Sequence, residues 1–316
     1  MNDKQINRWL RRQFAPVGWV MIAYYVLLNF LVSLSMGLDA AKQELWAFAA
    51  GDRSGVDMSA VLGNAWGYIV TIAVGLVILH GWKGPDLWRE ILVKEKPIRP
   101  GVVLALVSLC IGTQMVNSLW VSLLELVLNQ FGGSVMPLLD SVSGDSDTFS
   151  MFLYASILAP IAEEILFRGY VLRKLRPYGK RFAIWGSAIL FGLFHGNLLQ
   201  TPYAVLMGLL LGYVTVEYSL GWAVFLHMFN NLILADLLTR LTAGWSDMAY
   251  GILNMVLFGG FFLISLVLLI KNRYAVRAYR KSEWMDRRCL KCFFTNPGVL
   301  IFTAMMAGSM ISLLFV

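Results

Sequence analysis

The sequence predicts an all-α membrane protein, a polytopic helical bundle of eight or nine transmembrane helices with its N-terminus in the cytoplasm. Three observations carry this prediction. Of 316 residues, 58% are hydrophobic and only 14% are charged, against about 25% charged in a soluble domain. Apolar runs of the roughly 20 residues that cross a bilayer core recur along the whole chain. Lys and Arg gather in alternate connections between those runs.

The first run, 17–38, follows Lys4, Arg8, Arg11 and Arg12. Its start resembles a secretory leader, but the run is long and no small-residue cleavage site stands out, so it reads as an uncleaved first span. Runs 64–82 and 102–130 come next. The latter is too long for a simple crossing and is expected to tilt, or to bend near Gly112-Thr113-Gln114. Gln114, Asn117, Ser118 and Glu125 make it unusually polar. A Gly/Ser/Asp-rich stretch, 131–149, separates these three spans from runs 150–172, 181–199, 201–219 and 221–239. Run 248–270, the basic segment 271–294 and run 297–316 close the chain. Three regions follow: an N-terminal one at 1–149, a polar-bearing core at 150–240, and a C-terminal one at 241–316. No internal repeat or low-complexity tract is evident.

Charge orients the bundle. All but four of the 26 Lys and Arg lie before the first run or within 83–99, 173–181 and 271–291. The opposite connections hold Asp39, Glu44, Asp52, Asp57, Asp140, Asp145 and Asp147. The positive-inside rule then puts the N-terminus in the cytoplasm. The net charge of +7 reflects topology and contact with anionic lipid. No aromatic-interleaved basic patch appears, so nucleic acid is excluded as a partner. The amphipathic, arginine-rich 271–294 is expected to lie on anionic lipid.

Charges inside a span cost about 2.5–3.5 kcal/mol each on insertion scales, so those that persist there need a reason. The run 150–172 contains Glu163-Glu164-x-x-x-Arg168. Glu164 and Arg168 are four residues apart and meet on one helix face, which predicts an ion pair. Glu163 is turned about 100° away and left free. An apolar site favours a carboxylate that takes up a proton, as a general base must. The next run holds Phe191-x-x-x-His195, and 221–239 holds His227-x-x-x-Asn231, each pair again on one face. A polar pair of this kind can bind a metal, hold a water, stabilise an oxyanion, or glue helices together. Asn230 is adjacent and could share that role, although it lies about 60° off the His227 face. His80, Glu125, Glu217 and Asp236 read as interfacial or structural, with Asp236 on the face opposite His227. Cys110 reads as apolar filler. Cys289-Leu-Lys-Cys292 is half a zinc site at most and reads as unpaired cytosolic thiols.

Glu-Glu-x-x-x-Arg, Phe-x-x-x-His and His-x-x-x-Asn, in this order and spacing, resemble the three motifs of the CPBP family. That family comprises CAAX prenyl endopeptidases and bacteriocin-processing or bacteriocin-immunity membrane proteins. The flanking words, Leu158-Ala-Pro-Ile-Ala-Glu-Glu-Ile-Leu-Phe-Arg-Gly169 and Ser219-Leu-Gly-Trp222, fit as well. The resemblance covers roughly 150–240 and implies an intramembrane endopeptidase in a bacterial cell membrane, acting on a peptide or lipidated protein near the cytoplasmic face. Glu163 would activate a water. His195 would share that water or bind the oxyanion. His227 and Asn231 would complete the site, and Glu164–Arg168 would brace it. Glu163, His195 and His227 also resemble a His₂Glu zinc set with an open fourth position. A metal-free site is equally compatible with these residues.

Depth sets a further expectation. At ~1.5 Å per residue, Glu163 lies ~15 Å from Arg173, His227 ~9 Å from the start of its span, and His195 ~21 Å from Arg181. For straight, upright helices these depths do not coincide. They are expected to converge in the cytoplasmic half, with water arriving from that side. Two other functions use the same residues. A non-catalytic immunity or scaffold protein of the family would keep them for structure. A transporter would use buried Glu, Arg and His as a proton relay, although transporter-like inverted repeats are absent.

Overall fold

The computed structural model describes residues 2–50, 55–143, 148–282 and 285–313. Asp52, Asp145 and Asp147 lie outside them. Regular structure among the described residues is helical, with one isolated bridge joining Lys94 to Ser219. The helices are α1 (Asp3–Ala50), α2 (Met58–Lys83), α3 (Pro85–Ile91), α4 (Pro100–Asn129), α5 (Met136–Ser143), α6 (Phe149–Tyr178), α7 (Lys180–Phe194), α8 (Thr201–Glu217), α9 (Leu220–Thr242), α10 (Met248–Lys271), α11 (Arg273–Ser282), α12 (Arg287–Phe294) and α13 (Pro297–Ser312).

Six of these, α1, α2, α4, α6, α9 and α10, are long and apolar enough to cross a membrane, and α12 with α13 makes a seventh if that pair, bent by 63°, is one span. The count is lower than eight or nine because runs 181–199 and 201–219 fold as short helices of 15 and 17 residues. At 1.5 Å per residue the first is only ~22 Å long. α7 and α8 pack closely against each other as a hairpin inside the bundle. The surface of the long helices is apolar: Leu34, Leu38, Val77, Leu104, Leu263 and Ile270 are all exposed. α10 has a mean hydropathy of 2.5 with only 11% of its apolar window buried. A face of that kind is stable against lipid and not against water, which makes this an integral membrane protein.

The core around the polar motifs is aromatic. Phe14, Phe167, Phe182, Phe191, Phe293 and Phe302 are all essentially inaccessible and join α1, α6, α7, α12 and α13. A second cluster, with Cys110, Leu211, Val214, Leu226 and Phe258, joins α4, α8, α9 and α10. The third run folds as α4, one continuous helix of 30 residues. Gly112 provides a close crossing: a Cβ there would stand 2.7 Å from Ser265 Oγ and 3.0 Å from the Phe261 carbonyl oxygen of α10.

The basic segments meet at one end of the bundle. Arg11 donates to Thr295 Oγ1 at 3.0 Å, and Arg288 pairs with Asp3 at 2.8 Å. Arg176 pairs with Glu95, and Arg181 donates to the Arg280 carbonyl. Glu217, at the end of α8, accepts from Lys96, Lys180 and the Tyr279 hydroxyl.

Candidate active site

The site forms where two long helices depart from α geometry. α6 is π-helical over Tyr154–Leu158 and Ile165–Leu172, on either side of the glutamate pair. α9 is π-helical over Phe229–Leu237, immediately after His227. Such stretches are rare and recur at functional sites, because the wider turn re-aims side chains that an α-helix would send elsewhere.

The two adjacent glutamates occupy different worlds. Glu164 and Arg168 are wholly buried, and Arg168 Nη1 donates to Glu164 Oε1 at 2.7 Å. Arg168 also donates to the Gly208 carbonyl of α8 at 3.3 Å and lies 4.3 Å from the centre of the Phe191 ring. The same Glu164 oxygen stands 2.9 Å from His227 Nδ1. A carboxylate held by an arginine accepts hydrogen bonds, so His227 Nδ1 carries the hydrogen and the ring turns Nε2 outward. Glu163 is on the outward side. Its side chain is 20% exposed, and its Oε2 lies 3.7 Å from His227 Nε2.

His195 arrives by a different route. It caps the C-terminus of α7, and the chain reverses at Gly196, whose φ of +62° suits glycine. His195 Nδ1 lies 2.9 Å from the Phe191 carbonyl. A carbonyl only accepts, so Nδ1 is the donor and Nε2 is left for other partners. Phe191 packs edge-on against both imidazoles, with centroids 5.0 Å from His195 and 5.6 Å from His227. One aromatic ring therefore sets the positions of Arg168 and both histidines.

Glu163, His195, His227 and Asn231 line one cavity of about 1020 Å³, with Gln114, Asn197, Tyr203 and Asn230. The asparagines divide their roles. Asn231 donates to the Ala155 carbonyl at 3.0 Å, tying α9 to the first π stretch of α6. Asn230 Oδ1 accepts from Tyr203 at 2.6 Å and from Gln114 at 2.9 Å, while its Nδ2 donates to Asn231. Tyr203 and Asn197 carried no sequence signal beyond their places beside the motifs. Gln114 was visible as a polar residue in an apolar run.

Asp236 lines the same cavity as His227 instead of facing away, because the π-helical stretch from Phe229 advances less per residue than the 100° of an α-helix. Asn230 lines the cavity too, from off the His227 face. The depth conflict disappears because α7 ends at His195 within the bundle. The cavity is lined by Met36, Ser59, Leu62, Gly63 and Leu313 at the end away from the basic segments. His80 accepts from Trp88 Nε1 at 2.7 Å, and Glu125 accepts from the Val135 amide at 2.6 Å, both away from the cavity.

Among the described residues no three His, Cys, Asp or Glu side chains gather so as to hold a metal ion. His227 gives Nδ1 to Glu164 and His195 gives its own to a carbonyl, which leaves each Nε2 for another partner. As arranged, Glu163, His195 and His227 are not gathered as a His₂Glu set.

The site defines a membrane-embedded protein with a carboxylate and two oriented imidazoles facing solvent space. Residues 145–233 match the family model described as type II CAAX prenyl endopeptidase Rce1-like. That stretch holds all three motifs, and over it the chain is similar to the type II CAAX prenyl endopeptidases. No curated protein and no solved structure matches the chain.

Proposed function

We propose that the protein is an intramembrane endopeptidase that hydrolyses a peptide bond with a water activated by Glu163. One observation carries the reading. Glu164 is locked between Arg168 and His227, whereas its neighbour Glu163 faces the cavity with Oε2 3.7 Å from His227 Nε2. That separation is too long for a direct hydrogen bond and admits a water that touches both groups.

In this reading the Glu163 carboxylate takes a proton from the water as its oxygen forms the bond to the scissile carbonyl carbon. The carbonyl π pair moves to oxygen. His195 Nε2, when protonated, donates to that oxyanion. Collapse breaks the C–N bond, and the proton held by Glu163 passes to the departing nitrogen. Glu164 and Arg168 are positioning residues, since they act through His227. Asn231 and Asn230 hold the cavity wall. The family match supports a peptide or prenylated protein as substrate, and a bacterial cell membrane as the location belongs to the same proposal.

The test is cleavage of a candidate-peptide library by purified protein, with and without chelator, alongside Glu163→Ala and His195→Ala. Both variants should express and fold yet lose cleavage, and chelator should change nothing. Variants that cleave like the parent chain would refute the mechanism. A scaffold or immunity function would instead survive both substitutions.

A further inference from the structure

The cavity and the basic segments sit at opposite ends of the helices that contribute to both. On α6 the cavity residues run from Glu163 back to Met151, away from Arg173 and Arg176. On α7 the order is Lys180 and Arg181 first, His195 last. On α8 it is reversed: Tyr203 lies at the start, and Glu217, with its lysine partners, at the end. On α9 the cavity residues run from His227 outward to Asp236. On α13 the chain begins at Asn296, which donates to the Arg11 carbonyl, and reaches the cavity only at Ser309. The far rim, Ser59 and Leu62, is exposed. Between the cavity residues and the basic ends of α6 and α8 lie Arg168, Leu172, Leu175 and Leu211, all buried to within 1%.

We infer that the cavity opens on the extracytoplasmic side of the membrane and takes a peptide segment of an exported or membrane-anchored protein presented there. The positive-inside rule assigns the basic end to the cytoplasm, which places the cavity residues of these helices towards the opposite face. The lining also selects by charge. Among its described residues Glu163 and Asp236 are the carboxylates and there is no Lys or Arg; Asp236 is answered by Arg240 at 3.0 Å, so the negative charge that meets a substrate is that of Glu163. A segment that is neutral or cationic around the cut bond is accepted, and an acidic one is repelled. The cleavage half of this inference rests on the proposed peptidase function. The access half does not.

Cysteine labelling separates the two. Leu62→Cys and Ala235→Cys mark the rim, and Arg277→Cys marks the basic end. The three native cysteines are buried, so the parent chain sets the background. A membrane-impermeant maleimide added to intact cells should label both rim positions and leave Arg277→Cys unlabelled until the membrane is opened. The reverse pattern overturns the inference. A second arm uses a single-span reporter carrying one neutral or lysine-flanked peptide either outside or inside the membrane. The outside copy should be cut, with cutting lost in Glu163→Ala and on replacing the flanking lysines by glutamates. Cutting of the inside copy alone overturns the inference. Rim labelling from outside with no cutting of either copy leaves the access side standing and defeats the peptidase reading.

Discussion

Replacing one glutamate or the other of the Glu163-Glu164 pair should produce opposite defects. Glu164 is the counter-charge of Arg168, and both side chains have no solvent exposure. Removing one partner of a buried pair leaves an uncompensated charge, at about 3–5 kcal/mol. In Glu164→Gln the guanidinium keeps only the Gly208 carbonyl at 3.3 Å and the Phe191 ring at 4.3 Å, and a desolvated cation–π contact returns about 2 kcal/mol. That contact exists in the parent chain too, so it does not offset the loss. Glu163→Gln removes a charge whose nearest partner is 3.7 Å away and whose side chain is partly solvated, so its effect on stability should stay within about 1 kcal/mol. Thermal unfolding of the purified protein in detergent measures both. Glu164→Gln should melt well below the parent, and Glu163→Gln close to it while losing cleavage. The double variant Glu164→Gln, Arg168→Met should regain part of the loss, because no unpaired charge remains. If Glu164→Gln melts with the parent, or the double variant is worse than the single one, the buried-pair argument is wrong.

Tyr203→Phe deletes the hydroxyl that donates to Asn230 Oδ1 at 2.6 Å. Asn230 Oδ1 keeps its bond from Gln114 at 2.9 Å, so the loss should be that of one hydrogen bond, about 0.5–1.5 kcal/mol, read by thermal unfolding, and cleavage should fall as the asparagine wall loosens. Gly196→Ala forces a side chain into a φ of +62°, at about 1–2 kcal/mol. Its sharper effect should be a fall in kcat, because the strained turn carries His195. At the basic end, the hydrogen bond from Arg176 holds the Glu95 carboxyl below its ordinary value. A depressed carboxylate adds stability that is present above its unfolded value and is lost as pH falls through the folded one. The parent should therefore lose slightly more stability than Glu95→Gln on acidification below the ordinary carboxylate range. The difference should be no more than about 1 kcal/mol, since the pair is partly exposed.

Much of this was legible in the chain. The spacing of Glu164 and Arg168 already required an ion pair, and two adjacent carboxylates in an apolar run required that one be treated differently from the other. Run 181–199 is apolar enough to cross lipid, yet Gly196 and the polar turn around Asn197 end α7 at Phe194. They stop it because His195 and Asn197 satisfy one another's neighbourhood: Asn197 donates to the His195 carbonyl at 3.2 Å and caps the amide of Gln200 at 2.7 Å. The supporting wall was harder to read. Gln114 and Tyr203 come from elements well separated from Asn230 in sequence, and only packing brings them to one oxygen.

One departure from α geometry bears on mechanism. At 100° per residue, Asp236 falls opposite His227. The π-helical stretch beginning at Phe229 turns it towards the cavity. In α6, Glu163 and Glu164 sit on a short α segment, Ala159–Glu164, between two π stretches. Widened turns are held by tertiary contacts, not by local propensity, and the contacts that hold them here are the polar ones: Asn231 to the Ala155 carbonyl, and Arg168 to Gly208. Those residues therefore have work apart from chemistry, and a variant such as Asn231→Ala should relax both π stretches at once. Amide hydrogen exchange across Tyr154–Leu158 and Phe229–Leu237 reads this directly. Faster exchange in both segments is the expected outcome, and faster exchange in one alone would mean that the two stretches are held independently.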